Sequence, residues 1–552
     1  MFSGQQKGRI ETGEIPAIGW VEEDSPEKGR KPARNLMIFK SLVLSALVAI
    51  TFYEMLDQGL YGAERWLPAA AIILGLFVVA LFVVGYFAGV PRIVWVLVGL
   101  LTVLVAVKGL SLAWSIGQAE TIRELLRSSM YLVAFALAAA SLSSRRLVGP
   151  LIDGLNIVAG AVAGYGVLQS TNPAEYSSNA SYDVGVGSTL EYPNTVAVVL
   201  GMGTALGLGR MTQLRNPIAR GLYAALILIF VVVLYLTFSR WGMLALGVGL
   251  VALFAVGGRR LQMFTNLLLV FGPLAWLVWK VQGLRTFFEP VSEESLRAAD
   301  GSAFQTYLVI AVLAAFLLQV LYAVLAERYE LAPAPHRALG AAALVAVIAG
   351  AGVLGFVLLG ERQGSDEIAQ VFSRGAKETG DMRDGFAFLS SDYRMKYWRV
   401  AWDEWKEHPL TGTGAGTFVY TWQENRPGFE ITKQVHNVYL EQGTETGVFA
   451  FLALAGFALA LAVYLLRASI RADGQRKLLL SGLAAAAIIY LVSSAFEWHW
   501  YIPPSTVFFF ALAGVAVRFA SPGETEEFRG RNLDRKTATE QPAQGGLFGR
   551  QA

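Results

Sequence analysis

The sequence contains no cysteine among its 552 residues, and only 16% of the residues are charged. The absence of cysteine excludes disulfides, thiolate catalysis and cysteine-based metal sites. The low charge content excludes an ordinary soluble protein of this size, because its surface would need more polar side chains. The formal net charge of +3 is too small to indicate a nucleic-acid partner.

The hydrophobic residues, 55% of the chain, are concentrated in blocks rather than spread evenly. The blocks are about 17–25 residues long, the length that crosses a bilayer core as a helix. We therefore predict an all-α polytopic membrane bundle with about fourteen transmembrane helices. The predicted spans are 36–54, 67–86, 93–113, 122–142, 147–168, 193–209, 221–238, 241–257, 262–280, 304–326, 338–359, 440–466, 478–496 and 501–518.

The distribution of basic residues predicts the orientation in the membrane. With the N-terminus inside, every inner loop carries Lys or Arg, whereas the outer loop 169–192 carries neither. This is the positive-inside pattern, so both termini are predicted to be cytoplasmic. The chain then divides into a tail at 1–35, a transmembrane domain at 36–518 and a second, disordered tail at 519–552. The transmembrane domain includes a long extracytoplasmic loop, 360–439.

The middle of this long loop has the pattern of an amphipathic helix. Trp398, Trp402 and Trp405 recur at i, i+4 and i+7, which places them on one helical face. A tryptophan-faced helix beside a membrane is expected to lie in the interface. Arg394 precedes Trp398 by four residues and shares that face, where a solvated surface arginine is not expected.

Three ionisable residues on the predicted outer side are candidates for chemistry, and each has a simpler interpretation. His436 opens a span, where it either anchors the helix at the interface or acts in a reaction. Arg240, at the tip of a tight helical hairpin, either snorkels to the headgroups or binds phosphate. Glu445 is an acid inside a span, which is costly and usually functional.

Two further patterns argue against phosphate-loop and metal chemistry. The glycine-rich turn 412–416 lacks the Lys-Ser/Thr ending and the preceding buried strand of a phosphate loop, so it is interpreted as an ordinary turn. The outer side has no Asp-x-Asp pair and no His-x-x-x-His, so we predict no metal and no cofactor.

Four segments resemble, in chain order, motifs of the O-antigen ligase and O-antigen polymerase superfamily. This superfamily also contains bacterial O-linked oligosaccharyltransferases, and the resemblance covers about 185–515. The segments are 187–194 with its Pro-Asn entry to a span, Ser239-Arg240, Arg394 with Trp398 and the run 408–414, and His436-Asn437 with Glu445 and Gly447.

The resemblance implies a GT-C-type glycosyltransferase in the bacterial inner membrane, with its active site facing the periplasm or cell exterior. Its donor would be an undecaprenyl-diphosphate-linked glycan and its acceptor a glycan or glycolipid. The resemblance implies a catalytic histidine and diphosphate-binding arginines. The residues carried over are His436 as catalytic, Arg240, Arg394 and the less diagnostic Arg399 for diphosphate, and Asn437, Glu445, Trp398 and Asn194 as supporting.

The chemistry of these residue types agrees with that assignment. A guanidinium binds a diphosphate leaving group through two parallel hydrogen bonds without a metal. A neutral histidine can take the proton of an attacking hydroxyl. One displacement at the anomeric carbon inverts its configuration. Glu445 either orients His436 or bonds only within the bundle.

Alternatives remain within and outside this class. The acceptor could be a lipid-linked core, another carrier-linked repeat or a protein, and a protein is less favoured because no acceptor-binding domain is visible. A flippase for the same lipids would place ionisable groups near the bilayer midplane. Here they gather at the outer ends of spans, with Lys108 near such an end. A non-enzymatic scaffold would not explain the histidine and arginine segments together.

Overall fold

The computed structural model describes residues 26–57, 62–172, 175–176, 185–288, 293–326, 333–360, 391–429 and 431–521. The N-terminal 25 residues, the tail beyond Ser521 and the first part of the long loop, 361–390, lie outside the described residues. Within the described part the chain is helical and contains no strand, which confirms the predicted fold class.

Sixteen α-helices make up the described bundle. They are α1 (Pro26–Leu56), α2 (Ala63–Phe82), α3 (Arg92–Leu110), α4 (Gln118–Ser141), α5 (Val148–Thr171), α6 (Pro193–Gln213), α7 (Pro217–Leu236), α8 (Arg240–Val256), α9 (Arg260–Val281), α10 (Glu294–Ala326), α11 (Pro333–Gly360), α12 (Ser391–Glu407), α13 (Phe418–Asn425), α14 (Val438–Arg471), α15 (Gly474–Ser493) and α16 (Pro503–Ala520).

Each of the fourteen predicted spans falls on one of these helices. In the described residues, 12 helices are long and apolar enough to cross a membrane. The other two predicted spans are α8, which has only 17 residues, and α4, whose first half carries four charged side chains.

The centre of the bundle is formed by α6 and α16. In each, 94% of the most apolar stretch is buried, compared with 28% in α1, α2 and α3, whose leucines and valines face outward. Small residues let the central helices approach closely: a Cβ at Gly209 of α6 would lie 2.8 Å from the Leu478 carbonyl oxygen of α15. The outer helices therefore present apolar side chains to lipid while the inner ones pack on protein.

The hairpin of α7 and α8 is as tight as the sequence predicts. Only Thr237, Phe238 and Ser239 separate the two helices. Ser239 caps α8 because its Oγ accepts a hydrogen bond from the Gly242 amide at 3.1 Å. Arg240 is thus the first residue of α8.

Helix α12 lies at the predicted position in the long loop, but its packing face differs from the expected one. Arg394, Tyr397 and Ala401 form the buried stripe, and Trp402 is 51% exposed. Trp405 packs on α14, where a Cβ at Gly443 would lie 2.6 Å from its ring. The helix therefore packs on protein through residues that mostly precede each tryptophan by one position, as Tyr397 precedes Trp398 and Ala401 precedes Trp402.

Candidate active site

One end of the bundle collects most of the predicted site residues, and we call it the site end. It contains the start of α8, the first turn of α12, the start of α14 and the segment 494–502 between α15 and α16. Val438 at the start of α14 donates its amide to the Ser494 carbonyl at 2.9 Å, which holds these last two elements together.

Arg394 is anchored in this end by two contacts to the segment 494–502. Its side chain is only 8% exposed. Its Nε donates to the Phe496 carbonyl at 3.0 Å, and its guanidinium forms an ion pair with Glu497. A buried arginine needs such partners, because an uncompensated charge there is very costly. The contacts fix the position of the positive charge.

Glu497 extends this network to α6. Tyr192, directly before α6, donates its hydroxyl to the second Glu497 oxygen at 2.5 Å. Asn194 in turn donates its Nδ2 to the Tyr192 hydroxyl at 2.8 Å. Burial raises the pKa of the Glu497 carboxyl, although the Arg394 guanidinium opposes that shift. The predicted supporting residue Asn194 is therefore linked to Arg394 through two intermediates.

His436 lies against the same cluster. Its ring centroid is 5.3 Å from the Tyr397 ring and 6.2 Å from the Trp498 ring. Its backbone has φ +58°, which is unusual for a residue with a side chain. This conformation directs the chain from segment 431–435 into α14. His436 is thus held next to the residues that flank Arg394 and Glu497.

The protonation of His436 follows from its surroundings. Burial, and secondarily the positive charge of Arg394, lowers the pKa of His436 to about 3. The imidazole is therefore neutral at physiological pH. Its Nδ1 lies 3.1 Å from the Gln434 carbonyl oxygen, which can only accept, so Nδ1 carries the proton. Nε2 is then the basic nitrogen.

Arg240 approaches this cluster from the α7–α8 hairpin. It is half-buried, and its neighbour Trp241 stacks on Phe496 with ring centroids 3.9 Å apart and planes at 4°. Phe496 is also the residue whose carbonyl accepts from Arg394. The Trp398 ring also lies near Phe496, with ring centroids 6.2 Å apart. Phe496 therefore connects the hairpin tip to the first turns of α12.

The other predicted residues have different roles. Asn437 caps α14, because its side-chain oxygen accepts from the Tyr439 and Leu440 amides at 3.1 Å each. Arg399 is exposed and lines a groove on the opposite face of α12 from Arg394. The structure thus brings together His436, Arg394, Trp398 and Asn194. Arg240 is connected to this cluster through its neighbour Trp241, and Arg399 lies outside it.

Glu445 bonds the glycine-rich turn. Its two oxygens accept from the Gly416 amide at 2.7 Å and the Phe418 amide at 3.1 Å. Its backbone oxygen also accepts from Gly414 at 2.7 Å. Of the two interpretations open for Glu445, bonding within the bundle is the one that these contacts support. The turn amides that a phosphate loop would present to a ligand are used by this carboxylate.

The glycines of these motifs are explained by close backbone approach. Gly447 has φ +73° at a kink in α14, and a Cβ there would lie 2.1 Å from the Leu410 oxygen. A Cβ at Gly412, with φ +61°, would lie 2.2 Å from the Glu445 carbonyl carbon. Both positions therefore require glycine. The turn that follows α12 therefore packs closely against the kinked part of α14.

One group of described side chains has the composition of a metal site. Glu404, Glu407 and His408 offer ligand atoms within 4.8 Å of one another at the largely exposed end of α12. With a rise of about 1.5 Å per residue, this end is roughly 15 Å along the helix from Arg394. The group is thus separate from the cluster around His436.

Glu497 is the main residue that the sequence analysis missed. The signal was an acid within the aromatic run 496–501 at the end of a span. The pairing could not be inferred from a local pattern, because the partner Arg394 is 103 residues away in sequence.

The family model described as O-antigen ligase matches residues 303–455, a segment that contains α12, the glycine-rich turn and His436. This match confirms the resemblance to the O-antigen ligase superfamily. None of the curated proteins compared with the chain matches it. Together with the 12 apolar helices, the match supports glycosyltransferase activity in a multi-pass membrane protein that handles lipid-linked glycans.

Proposed function

We propose that the protein transfers a glycan from undecaprenyl diphosphate to an acceptor hydroxyl on the extracytoplasmic face of a bacterial inner membrane. Ligase or polymerase activity is favoured over transfer to protein. The observation that carries the proposal is a neutral histidine beside a buried arginine at one end of an apolar bundle. Acceptor deprotonation and leaving-group stabilisation need these two groups close together.

The donor side of the reaction uses arginine. As the sugar–phosphate bond breaks, negative charge develops on the diphosphate. Arg394 is held in place by Glu497 and Phe496, so it need not reorganise as that charge appears. Arg240, whose neighbour Trp241 stacks on Phe496, supplies the second guanidinium. Guanidinium groups can bind a diphosphate through charge-assisted hydrogen bonds without a metal.

The acceptor side uses His436. The acceptor oxygen attacks the anomeric carbon and forms the new glycosidic bond with its own electron pair. The bond from that carbon to the diphosphate oxygen breaks, and its electrons leave with the carrier. The hydroxyl proton moves to Nε2 of His436. The His436 ring is neutral before the reaction, and its Nδ1 proton is directed at the Gln434 carbonyl. A single displacement of this kind inverts the anomeric configuration.

The test is transfer by purified protein in nanodiscs with labelled carrier-linked glycan and a glycolipid acceptor. We expect a product whose mass equals acceptor plus glycan, together with free carrier diphosphate. The product mass also separates the acceptors, since a ligase, a polymerase and a protein glycosylase give different products. Movement of the carrier across liposomes without bond cleavage would instead establish a flippase and contradict the proposal.

A further inference from the structure

A cavity lies at the site end, next to the cluster around His436. Its volume is about 410 Å³, within the size range of small-molecule sites. It is bounded by the starts of α2 and α4, the glycine-rich turn, α13 and the segment 433–434. No residue predicted from the sequence as catalytic or substrate-binding lines it.

The cavity shares a wall with the candidate active site. Gln434 lines it, and the carbonyl of Gln434 is the partner of the His436 Nδ1 at 3.1 Å. Tyr501 also lines it, three residues after Trp498, whose ring lies 6.2 Å from that of His436. The cavity and the Arg394–Glu497 pair therefore both border the protein segments that hold His436.

Buried charged side chains form part of its lining. Glu124 and Arg127 are buried and form an ion pair, and the fully buried Lys108 contacts the other Glu124 oxygen at 3.3 Å. The Arg127 guanidinium lies over the rings of Trp66 and Tyr501, at 5.3 and 5.1 Å. Such a network contributes little net stability compared with apolar packing, so its presence at a cavity indicates a polar ligand.

The charge of the lining indicates what kind of ligand fits. Three acids and three bases face the cavity: Glu64, Glu120, Glu124, Arg123, Arg127 and Lys433. A diphosphate would be repelled by the carboxylates, whereas the hydroxyls of a neutral sugar can donate to carboxylates and accept from guanidinium groups. Tyr420 and Tyr501 add aromatic rings, which cover the apolar face of a sugar.

We propose that this cavity binds a neutral saccharide unit of the acceptor, beside the segment that carries His436. The proposal rests on the proposed function for the identity of the reaction, but the binding itself does not require turnover. Donor diphosphate and acceptor sugar would then occupy two regions of opposite character. Arginine dominates the first, and balanced charge with aromatic rings characterises the second.

The absence of native cysteine allows a direct binding test. Arg123→Cys places one thiol at the exposed rim of the cavity, and Glu407→Cys places a matched thiol on the exposed end of α12. Maleimide labelling is followed in nanodiscs with two probes. One is the glycolipid fraction of the source membrane, freed of carrier-linked glycan by chromatography, and the other is the carrier-linked glycan alone.

We expect the glycolipid fraction to slow labelling of Arg123→Cys at least about fivefold and to leave Glu407→Cys unchanged. The same protection is expected when His436→Ala is added. Protection by the carrier-linked glycan instead would assign the cavity to donor sugars and overturn the proposal, as would no protection by either probe. Protection without any transfer by the wild-type protein would contradict the proposed function and leave the binding site standing.

A kinetic split supplies the second readout. Glu120→Gln keeps the size of a cavity side chain and removes its charge, so the KM for the acceptor should rise about tenfold, the loss of one charged hydrogen bond. The KM for the donor should stay within about twofold. An equal rise in both constants, or a rise in the donor constant alone, would contradict an acceptor site.

Discussion

Two buried carboxylates, Glu445 and Glu497, differ in the groups that they bind. Glu445 accepts hydrogen bonds from the backbone amides of Gly416 and Phe418 and holds a turn against a kinked helix. Glu497 pairs with Arg394 and accepts from Tyr192, next to a neutral histidine. The comparison separates Glu445, which stabilises the scaffold, from Glu497, which in our proposal positions an arginine for the reaction.

The division has a simple physical basis. A carboxylate satisfied by fixed backbone amides stabilises one conformation and has little capacity left for a substrate. A carboxylate that holds an arginine positions a charge that can act on a diphosphate. Substitutions in the Glu445 region should therefore change the amount of folded protein, and those in the Glu497 region should change the reaction.

The largest expected effect is on turnover in His436→Ala. Loss of the proton acceptor should lower kcat by about 10²–10⁴-fold, the usual contribution of a positioned acid–base group. Donor binding should remain, because Arg394 and Arg240 are unchanged. Initial rates and donor binding in the same nanodiscs check both parts. Asn437→Ala is the neighbouring control: it removes a helix cap, which costs about 1 kcal/mol of stability, and should leave kcat nearly intact. Wild-type turnover by His436→Ala would refute its role.

A large effect of the other kind is expected for Gly447→Ala. Its Cβ would lie 2.1 Å from the Leu410 oxygen at a position with φ +73°, so the kink cannot form as it is. The yield of folded protein and its thermal stability should fall strongly. Gly350→Ala is the matched control, because a Cβ there meets nothing within 4 Å. Equal stability of the two variants would show that the kink does not constrain the fold.

An intermediate effect is expected for Arg394→Lys. Lysine keeps the charge but cannot contact both the Phe496 carbonyl and Glu497 with a planar guanidinium. We expect the donor kcat/KM to fall about 10–100-fold, measured with labelled carrier-linked glycan, and Arg240→Lys to act in the same direction. Arg399→Ala should be milder, because Arg399 is exposed on the other face of α12. A larger loss in Arg399→Ala than in Arg394→Lys would reverse this assignment.

The pH dependence sharpens the comparison further. The pKa of His436 is lowered from 6.5 to about 3, so its neutral form persists well below neutral pH and kcat/KM should show no break near 6.5. Between these two pH values the unfolded chain binds a proton at this position and the folded chain does not. Stability should therefore fall as pH drops from about 6.5 towards 3, and less so in His436→Ala. A break in kcat/KM near pH 6.5 that persists in His436→Ala would belong to another titrating group.

The smallest effect is expected from metal removal. Glu404, Glu407 and His408 lie at the far end of α12 from Arg394, so a metal bound there would not reach the diphosphate. Transfer should survive EDTA. If EDTA abolishes transfer and magnesium or manganese restores it, the account in which arginine alone binds the diphosphate is wrong. Loss of that restoration in Glu404→Gln would then assign the metal to the group of Glu404, Glu407 and His408.

The helices could be predicted from the sequence because each apolar block must satisfy its own backbone hydrogen bonds within the bilayer. The position of α12 also followed from local periodicity. Its packing face could not be predicted, because it depends on α14. Gly443 of α14 leaves room for the Trp405 ring, whereas Trp402 stays exposed. Periodicity identifies the apolar side of a helix, but the partner decides which residues are covered.

The candidate site was predictable only in part, for a related reason. His436, Arg394 and Arg240 stand out as ionisable residues at span ends. Their partners come from tertiary contacts between distant parts of the sequence. Glu497 is 103 residues from Arg394, and Tyr192 is 305 residues from Glu497. The role of Glu445 likewise became visible only from its bonds to the turn.

The central claim is that His436 and the two arginines act on one reacting centre. A cryo-EM structure with a non-cleavable phosphonate analogue of the carrier-linked donor tests it most directly. The account predicts the diphosphate group within about 3 Å of guanidinium nitrogens of both Arg394 and Arg240, with His436 Nε2 facing the anomeric carbon. A diphosphate bound elsewhere, or His436 more than about 15 Å from both arginines with the donor in place, would contradict it, because no hydrogen bond spans that distance.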